Sequence, residues 1–453
     1  MKPRIFFAFL YFCSSMIVQA QTPYVVNIDS PNFRKLVVAL PSLDVTPSQE
    51  KQLLELQAKA SERLSYLFKF TGLFEVMSAD AFKSKERKVL DVGFWKTIGV
   101  DSVSSGSLTL VNKRLTLTLW TQDVHQNKVL LKQTYKLSDP LKLETHLRNY
   151  VDKVLNLYTG RPGIFQTKIA FIGKKTKTSH KQVYLCDFDG SNVRQITAEP
   201  AIHLSPSWNP SGTELLYTSY QKGNPDLYLT KLASKETILI SGTQGINIGG
   251  TFTPQGKLVA FTGSTDGDSD IYVTKPSGGP RRPLLVGHGS EVDASFSPDG
   301  RWLAYVSGRF FNPHIFVAEL TWNSDFSDLK VKSDMRLTHA GWYNATPTWS
   351  PDSKKIVFAG FDKDIGRFDL FMMNPDGSKL ERLTLDSGDN ESPTFSPNGR
   401  LMMFQSNRIG NSPQKGVSQL YIMNHDGSEQ RRIDTGLYLA EEPNWGPFIE
   451  QGD

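Results

Sequence analysis

Phe296-Ser297-Pro298-Asp299-Gly300, with the short apolar strand after it, decides the fold because it recurs. Its copies are Trp208-Asn209-Pro210-Ser211-Gly212, Phe252-Thr253-Pro254-Gln255-Gly256, Trp349-Ser350-Pro351-Asp352-Ser353 and Phe395-Ser396-Pro397-Asn398-Gly399, with a truncated sixth at Trp445-Gly446-Pro447. Successive prolines stand 44, 44, 53, 46 and 50 residues apart, the period of a propeller blade. The second half of the repeat is as regular. A polar residue enters an apolar–aromatic–apolar strand at Asp226-Leu227-Tyr228, Asp270-Ile271-Tyr272, Asp369-Leu370-Phe371 and Gln419-Leu420-Tyr421. Turn signals such as Pro375-Asp376-Gly377-Ser378 and His425-Asp426-Gly427-Ser428 then close a hairpin.

A four-stranded unit of this kind cannot cover both of its faces alone, and stacking units around an axis covers them. The aromatic before each turn is placed to wedge between blades. Because the sixth copy supplies one strand, its missing strands are sought upstream, at Lys168–Ile172, Val183–Phe188 and Arg194–Thr197. The expectation is six blades over residues 161–453, the last built from both ends of the region.

Outward from the repeat, residues 21–160 read differently. Leu53, Leu56, Ala60, Leu64, Leu67 and Phe68 recur at helical spacing, as do Leu143, Leu147, Val151, Val154 and Leu155 ahead of Gly160. Short strands are expected at 24–28, 36–40 and 74–77, and three longer ones at 103–111, 114–120 and 128–137. The fold class is therefore a small α/β N-terminal domain followed by a six-bladed all-β propeller. The first part carries 19 Lys and Arg against 14 Asp and Glu, the repeat region 30 against 32. The repeat region is thus slightly acidic, which argues against a nucleic-acid scaffold.

Residues 1–20 have the grammar of a secretory signal: Lys2 and Arg4, an apolar core from Ile5 to Phe12, and Val18-Gln19-Ala20 before a cleavage point. A lipoprotein signal at Cys13 is the competing reading, disfavoured by the bulky Tyr11 and Phe12. Cleavage after Ala20 leaves Cys186 as the only cysteine, hence no intramolecular disulfide and no membrane span in the mature chain.

Motifs for chemistry are few. The 453 residues contain no GxSxG, P-loop, HExxH or CxxC. Asp266-Gly267-Asp268-Ser269-Asp270 matches only part of an EF-hand loop, with Ile271 and Ser277 where Gly and Glu belong, and reads as a polar hairpin. His288, between two glycines, serves a turn rather than a metal. More suggestive are the loops just before each aromatic–Pro core, carrying His203, Ser205, Asn247, Glu291, Asp293, Asn344, Thr346, Asn390, Glu391, Glu441 and Glu442. Equivalent units place these loops on one face near the axis, where their carboxylates form an acidic rim or merely cap strand ends.

An export signal, an α/β domain of about 140 residues and a six-unit propeller together resemble the TolB family, periplasmic components of the Tol–Pal system. Ile28-Asp29-Ser30, Gly99-Val100-Asp101 with Gly106, and Leu157-Tyr158-Thr159-Gly160 leading to Lys168-Ile169-Ala170-Phe171 carry the local likeness. The resemblance implies a non-enzymatic periplasmic adaptor. Its propeller funnel would hold the lipoprotein Pal through the loop residues above. The mature N-terminal tail, Gln21, Thr22, Pro23, Tyr24, Val25, Val26, Asn27 and Ile28, would engage TolA. It further implies support of outer-membrane integrity and constriction at cell division, contact with other outer-membrane proteins, and no cofactor beyond Ca²⁺ accepted in the funnel. One departure stands out: Ile246-Asn247 occupies the loop where the family carries a histidine important for Pal binding. From the residues alone, Tyr24–Ile28 also suits strand addition to a partner's sheet, or simply the first strand of its own domain. The competing function is a propeller enzyme acting on carbohydrate or peptide, with rim carboxylates roughly 5–9.5 Å apart as acid and base.

Overall fold

Strict 3.6-residue apolar spacing produces the two long helices of the N-terminal part, and their apolar stripes meet over one sheet. The computed structural model describes residues 34–449 apart from 47–50, 79–80, 82–90, 113, 140–141, 265–266, 288, 386–387 and 409–415. The signal segment, the tail 21–28, Asp266 and His288 therefore lie outside the described residues.

Helices α1 (Lys51–Phe70) and α3 (Leu143–Thr159) bury the residues expected from the periodicity. Gly160, at φ 66°, ends α3 in the left-handed conformation and donates its amide to the Asn156 carbonyl at 2.8 Å. The sheet runs β3 (Phe74–Val76), β1 (Leu36–Ala39), β4 (Ser102–Val111), β5 (Arg114–Asp123) and β6 (Lys128–Leu137), with β2 (Asp44–Thr46) parallel to β4. β4, β5 and β6 form an antiparallel meander whose turns use Asn112 and Asn127 at positive φ. The strand β2 and the one-turn-and-a-half helix α2 (Val92–Thr97) are too short to register as periodic in sequence.

Six four-stranded antiparallel sheets follow. Blades 1 to 5 are sequential, beginning at His203, Asn247, Glu291, Tyr343 and Asn390. In blade 6 the C-terminal strand Leu439–Trp445 pairs with Lys168–Lys174, which pairs in turn with Gln182–Asp187 and Arg194–Gln195. The first strands of neighbouring blades touch one another in a closed cycle, so each lines the axis.

The repeated motif now has a physical meaning. In Ser297-Pro298-Asp299-Gly300 the Ser297 hydroxyl donates to Asp299 at 2.6 Å and accepts the Trp302 amide at 2.9 Å, while Asp299 accepts the Arg301 amide at 3.0 Å. Ser350 and Asp352 repeat the contact, and Ser396 donates to Asn398 at 2.9 Å. The aromatic before the turn packs on the preceding blade. Phe296 lies among Leu258, Ala260 and Ile271, and Trp349 donates its indole N–H to the Ser295 carbonyl at 3.0 Å. Each buried aromatic ring removes on the order of 150–250 Å² from water, so six wedges of this kind account for much of the inter-blade cohesion.

The N-terminal domain sits on the face carrying the first-to-second and third-to-fourth strand turns. Asn398 donates to the Pro162 carbonyl at 3.1 Å, Lys35 pairs with Glu429 at 3.1 Å, and Phe70 stacks edge-on against Phe188 at 4.7 Å. The opposite face is free of it.

Candidate functional site: the axial ring and the open face

Every innermost strand breaks its register two or three residues in, as at Leu204/Ser207, Val292/Ser295 and Glu441/Asn444. The extra residue adopts left-handed backbone in all six blades: Ser205 (φ 52°), Gly249 (64°), Asp293 (55°), Thr346 (49°), Ser392 (50°) and Glu442 (49°). A bulge with a positive φ at each equivalent position produces a ring of half-buried residues around the axis.

Two acids sit in this ring, in blades 3 and 6, and so face each other across six-fold geometry. Each reaches to the next blade: Asp293 Oδ2 accepts the Thr346 amide at 3.1 Å, and Glu442 Oε2 accepts the Ser205 amide at 2.5 Å. Burial pushes Asp293 up from the usual carboxylate range and pushes Glu442 up to about 7, against the pull of these amides. Burial likewise raises Glu391, which accepts from the Gln405 amide at 3.3 Å. Glu441 is buried and ion-paired with Lys181.

The other predicted rim residues are not on the surface, and here the strand-cap reading prevails. His203, Asn247, Glu291, Asn344 and Asn390 are at most 3% exposed. His203 Nδ1 lies 3.2 Å from the Ala201 carbonyl, and burial holds the ring below its ordinary pKa. Asn247, Asn344 and Asn390 donate their amides to the carbonyls of Thr243, Ala340 and Gly388 at 2.8, 3.1 and 3.1 Å, closing the loop that precedes each blade. A side chain that starts a strand at the sheet's top edge is covered by its own incoming loop, which sequence spacing does not reveal. The eleven predicted positions therefore separate into five buried caps, the ring members Ser205, Asp293, Thr346 and Glu442, and the flanking pair Glu391 and Glu441.

Sequence reasoning missed what the same face exposes. Val286, Phe310, Phe311, Trp342, Tyr343, Ile365 and Leu385 are all solvent-exposed, Trp342 by 53% and Phe311 completely. All but Tyr343, which opens the innermost strand of blade 4, lie in loops of blades 2 to 4, and all are on the face opposite the N-terminal domain. Exposed apolar side chains gathered on one face in this way mark a protein-binding surface more often than a monomer's ordinary exterior. The available signal was Phe310-Phe311 and Trp342-Tyr343, paired aromatics in loops where polar residues are the rule.

Among the described residues no group of three or more His, Cys, Asp or Glu side chains is placed to hold a metal ion. No described helix is long and apolar enough to cross a membrane. Cys186 is buried, and that burial raises its thiol pKa, so it packs as a small hydrophobe.

Against known proteins, a family described as the TolB β-propeller domain matches residues 155–449. The chain is 33% identical over 238 residues to a Tol-Pal system protein TolB of Desulfosudis oleivorans, covering 51% of this chain and 53% of that protein. It is 34% identical over 173 residues to a TolB homolog of Chlorobaculum tepidum, 38% of this chain and 39% of the other. The alignments thus span about half, or less, of these relatives' length. The crystal structure of TolB from Acinetobacter baumannii superposes with a TM-score of 0.74 over 92% of this chain and 98% of that one, at 22% identity, a likeness of fold.

Proposed function

The chain belongs to the TolB β-propeller family, and from that premise we propose that it is a periplasmic, non-enzymatic adaptor of a Tol–Pal envelope system. The open propeller face would hold the lipoprotein Pal, and the mature tail, residues 21–28, would engage TolA. The observation that carries this reading is the set of exposed aromatic side chains beside the half-buried axial ring, on the face opposite the N-terminal domain. A relative named as a Tol-Pal system protein, that of Desulfosudis oleivorans, supports the same assignment. Residues 1–20 would direct export and be cleaved, and residues 21–160 and 161–453 would be the working domains. Outer-membrane integrity and constriction at division are the roles that follow.

The enzyme alternative receives no comparable support. Asp293 and Glu442 belong to blades on opposite sides of the ring, and each is engaged by a neighbouring backbone amide. Glu291 and Glu441 are buried.

The test is direct binding of the cognate Pal soluble domain to the mature protein by calorimetry. Trp342→Ala and Phe311→Asp should each weaken binding at least about tenfold, the loss of one aromatic anchor worth ~2 kcal/mol. A chain beginning at Pro31 should retain Pal and lose TolA. Wild-type protein that binds no Pal would refute the reading, and retention of both partners by the shortened chain would refute the tail assignment.

A further inference from the structure

Blade 3 departs from the capping made by the asparagines, and its departure leaves a carboxylate oxygen unsatisfied. Two residues before the bulge of each innermost strand stand His203, Asn247, Glu291, Asn344, Asn390 and, in blade 6, Ala440. The three asparagines donate to a carbonyl of the preceding loop. A glutamate has nothing to donate. Glu291, 1% exposed, accepts the Ser307 hydroxyl on Oε1 at 2.8 Å, while Oε2 is buried with no hydrogen-bond partner. An oxygen in that state carries a desolvation cost that a strand cap does not require.

The surroundings do not neutralise it. Asp270 lies alongside, accepting the Gly287 amide at 3.3 Å, and Asp268 adds to the negative field. Arg309, whose charge acts on Glu291, is held by Asp334 at 2.5 Å, by Ser307 at 3.0 Å and by the Tyr305 hydroxyl. Glu291 lines a cavity of about 600 Å³ between blades 2 and 3, with Leu285, Val286, Phe310 and Val331 as apolar wall. Gly287 packs against the carboxylate with no side chain between them: a Cβ there would come within 2.7 Å of Oε1 and 2.9 Å of Oε2. The cavity is therefore a partly apolar sleeve whose lining cations are already held, Arg309 by Asp334 and Lys332 by Glu319 at 3.0 Å, and which ends at a buried carboxylate oxygen with no hydrogen-bond partner.

We propose that this cavity receives a lysine or arginine side chain of the protein docked on the open face, its cationic head meeting Glu291 Oε2 and its aliphatic stem lying along Val286 and Phe310. This rests on the adaptor reading above. Charge complementarity selects the head group, and the wall residues Val286 and Phe310 are also among the exposed apolar side chains, so cavity and docking surface are continuous.

The experiment uses the mature protein and the soluble domain of the cognate peptidoglycan-associated lipoprotein. Glu291→Gln preserves an acceptor for Ser307 and removes the charge; Gly287→Ala puts a methyl over the carboxylate. Both should weaken binding about tenfold or more, the scale of one charge-assisted hydrogen bond. Glu291→Gln should leave the melting temperature unchanged or higher, because the amide gains the donor the other blades use; a purely structural glutamate would lower it. Substituting the partner's lysines and arginines one by one should reveal a residue whose effect vanishes in the Glu291→Gln background. If both variants bind as wild type, or every partner substitution remains additive with Glu291→Gln, the pocket assignment is wrong while the adaptor reading stands. If the wild-type protein binds no Pal, both fall together.

Discussion

Thr346 is a β-branched residue held at φ 49°, its hydroxyl buried without a partner. Left-handed backbone is a poor conformation for such a side chain, and only the closure of the ring holds it there. Thr346→Gly should therefore stabilise the protein, by about 0.5–1 kcal/mol, measured as a shift of the urea midpoint. Loss of stability would mean that the side chain contributes packing that outweighs the strain. Asp152 presents the converse case. It accepts the Phe165 amide at 3.1 Å and fills the space over Gly163, where a Cβ would fall 1.8 Å from its carboxylate. Burial pushes it up to about 7 from an ordinary value of 3.8. Between those two values the native state binds a proton the unfolded chain has released, so stability falls as pH rises through that window. Asp152→Asn keeps the acceptor and removes the penalty. Its gain over wild type should be absent near pH 4 and grow to about 1 kcal/mol or more by pH 8, seen in denaturation curves at the two pH values.

At the scale of elements, the question is how the N-terminal domain is fixed to the ring. Arg148 on α3 reaches Asp187 at 2.5 Å and Glu144 at 2.5 Å, and Arg63 on α1 reaches Asp189 at 2.9 Å and Glu144 at 2.6 Å. Asp187 also holds Lys168 and accepts from Asn192 at 2.7 Å. Burial would raise the Asp187 pKa, but Lys168, Asn192 and Arg148 outweigh it and hold the group below its ordinary value. Its contribution is present above the unfolded carboxylate pKa and is lost as the pH falls below it. Around these pairs, Phe70, Phe165 and Phe188 form a dry aromatic cluster, with Arg431 over the Phe70 ring at 4.5 Å. Arg148→Ala leaves Asp187 buried with fewer partners and should cost about 2–4 kcal/mol. Calorimetry should show the N-terminal domain melting ahead of the propeller. A single unshifted transition would count against the network as the clamp.

For the whole molecule, ring closure decides cooperativity. Blade 6 depends on strand Leu439–Trp445 lying against Lys168–Lys174, and Trp445 donates its indole N–H to Thr167 at 2.9 Å. Ending the chain at Tyr438 removes that strand, exposes an edge and opens the ring. The shortened protein should aggregate or lose its sharp thermal transition; a cooperative melt near the wild-type temperature would show that closure contributes little. The separation of faces is also a whole-molecule property. One carries the N-terminal domain, and the other is left with exposed aromatic side chains.

Periodicity made the elements legible. The helical stripes of α1 and α3 gave both helices, and the aromatic–Pro–turn motif gave the blade count, because local sterics and hydrogen bonding act over a few residues and repeat with the chain. The candidate site was legible only in outline. The spacing put His203, Asn247, Glu291, Asn344 and Asn390 on the right face, yet it could not show that incoming loops bury them. Nor did it separate the ring residues Asp293 and Glu442 from their neighbours Glu391 and Glu441. Burial is set by strands and loops distant in sequence, and a bulge turns a side chain without changing the residue type. The sequence by itself determined which units form, since each is specified by its own turns and apolar pattern. Only the closed ring decided which carboxylates are capped, which are paired and which one is left waiting for a partner, because those outcomes depend on the blade next door.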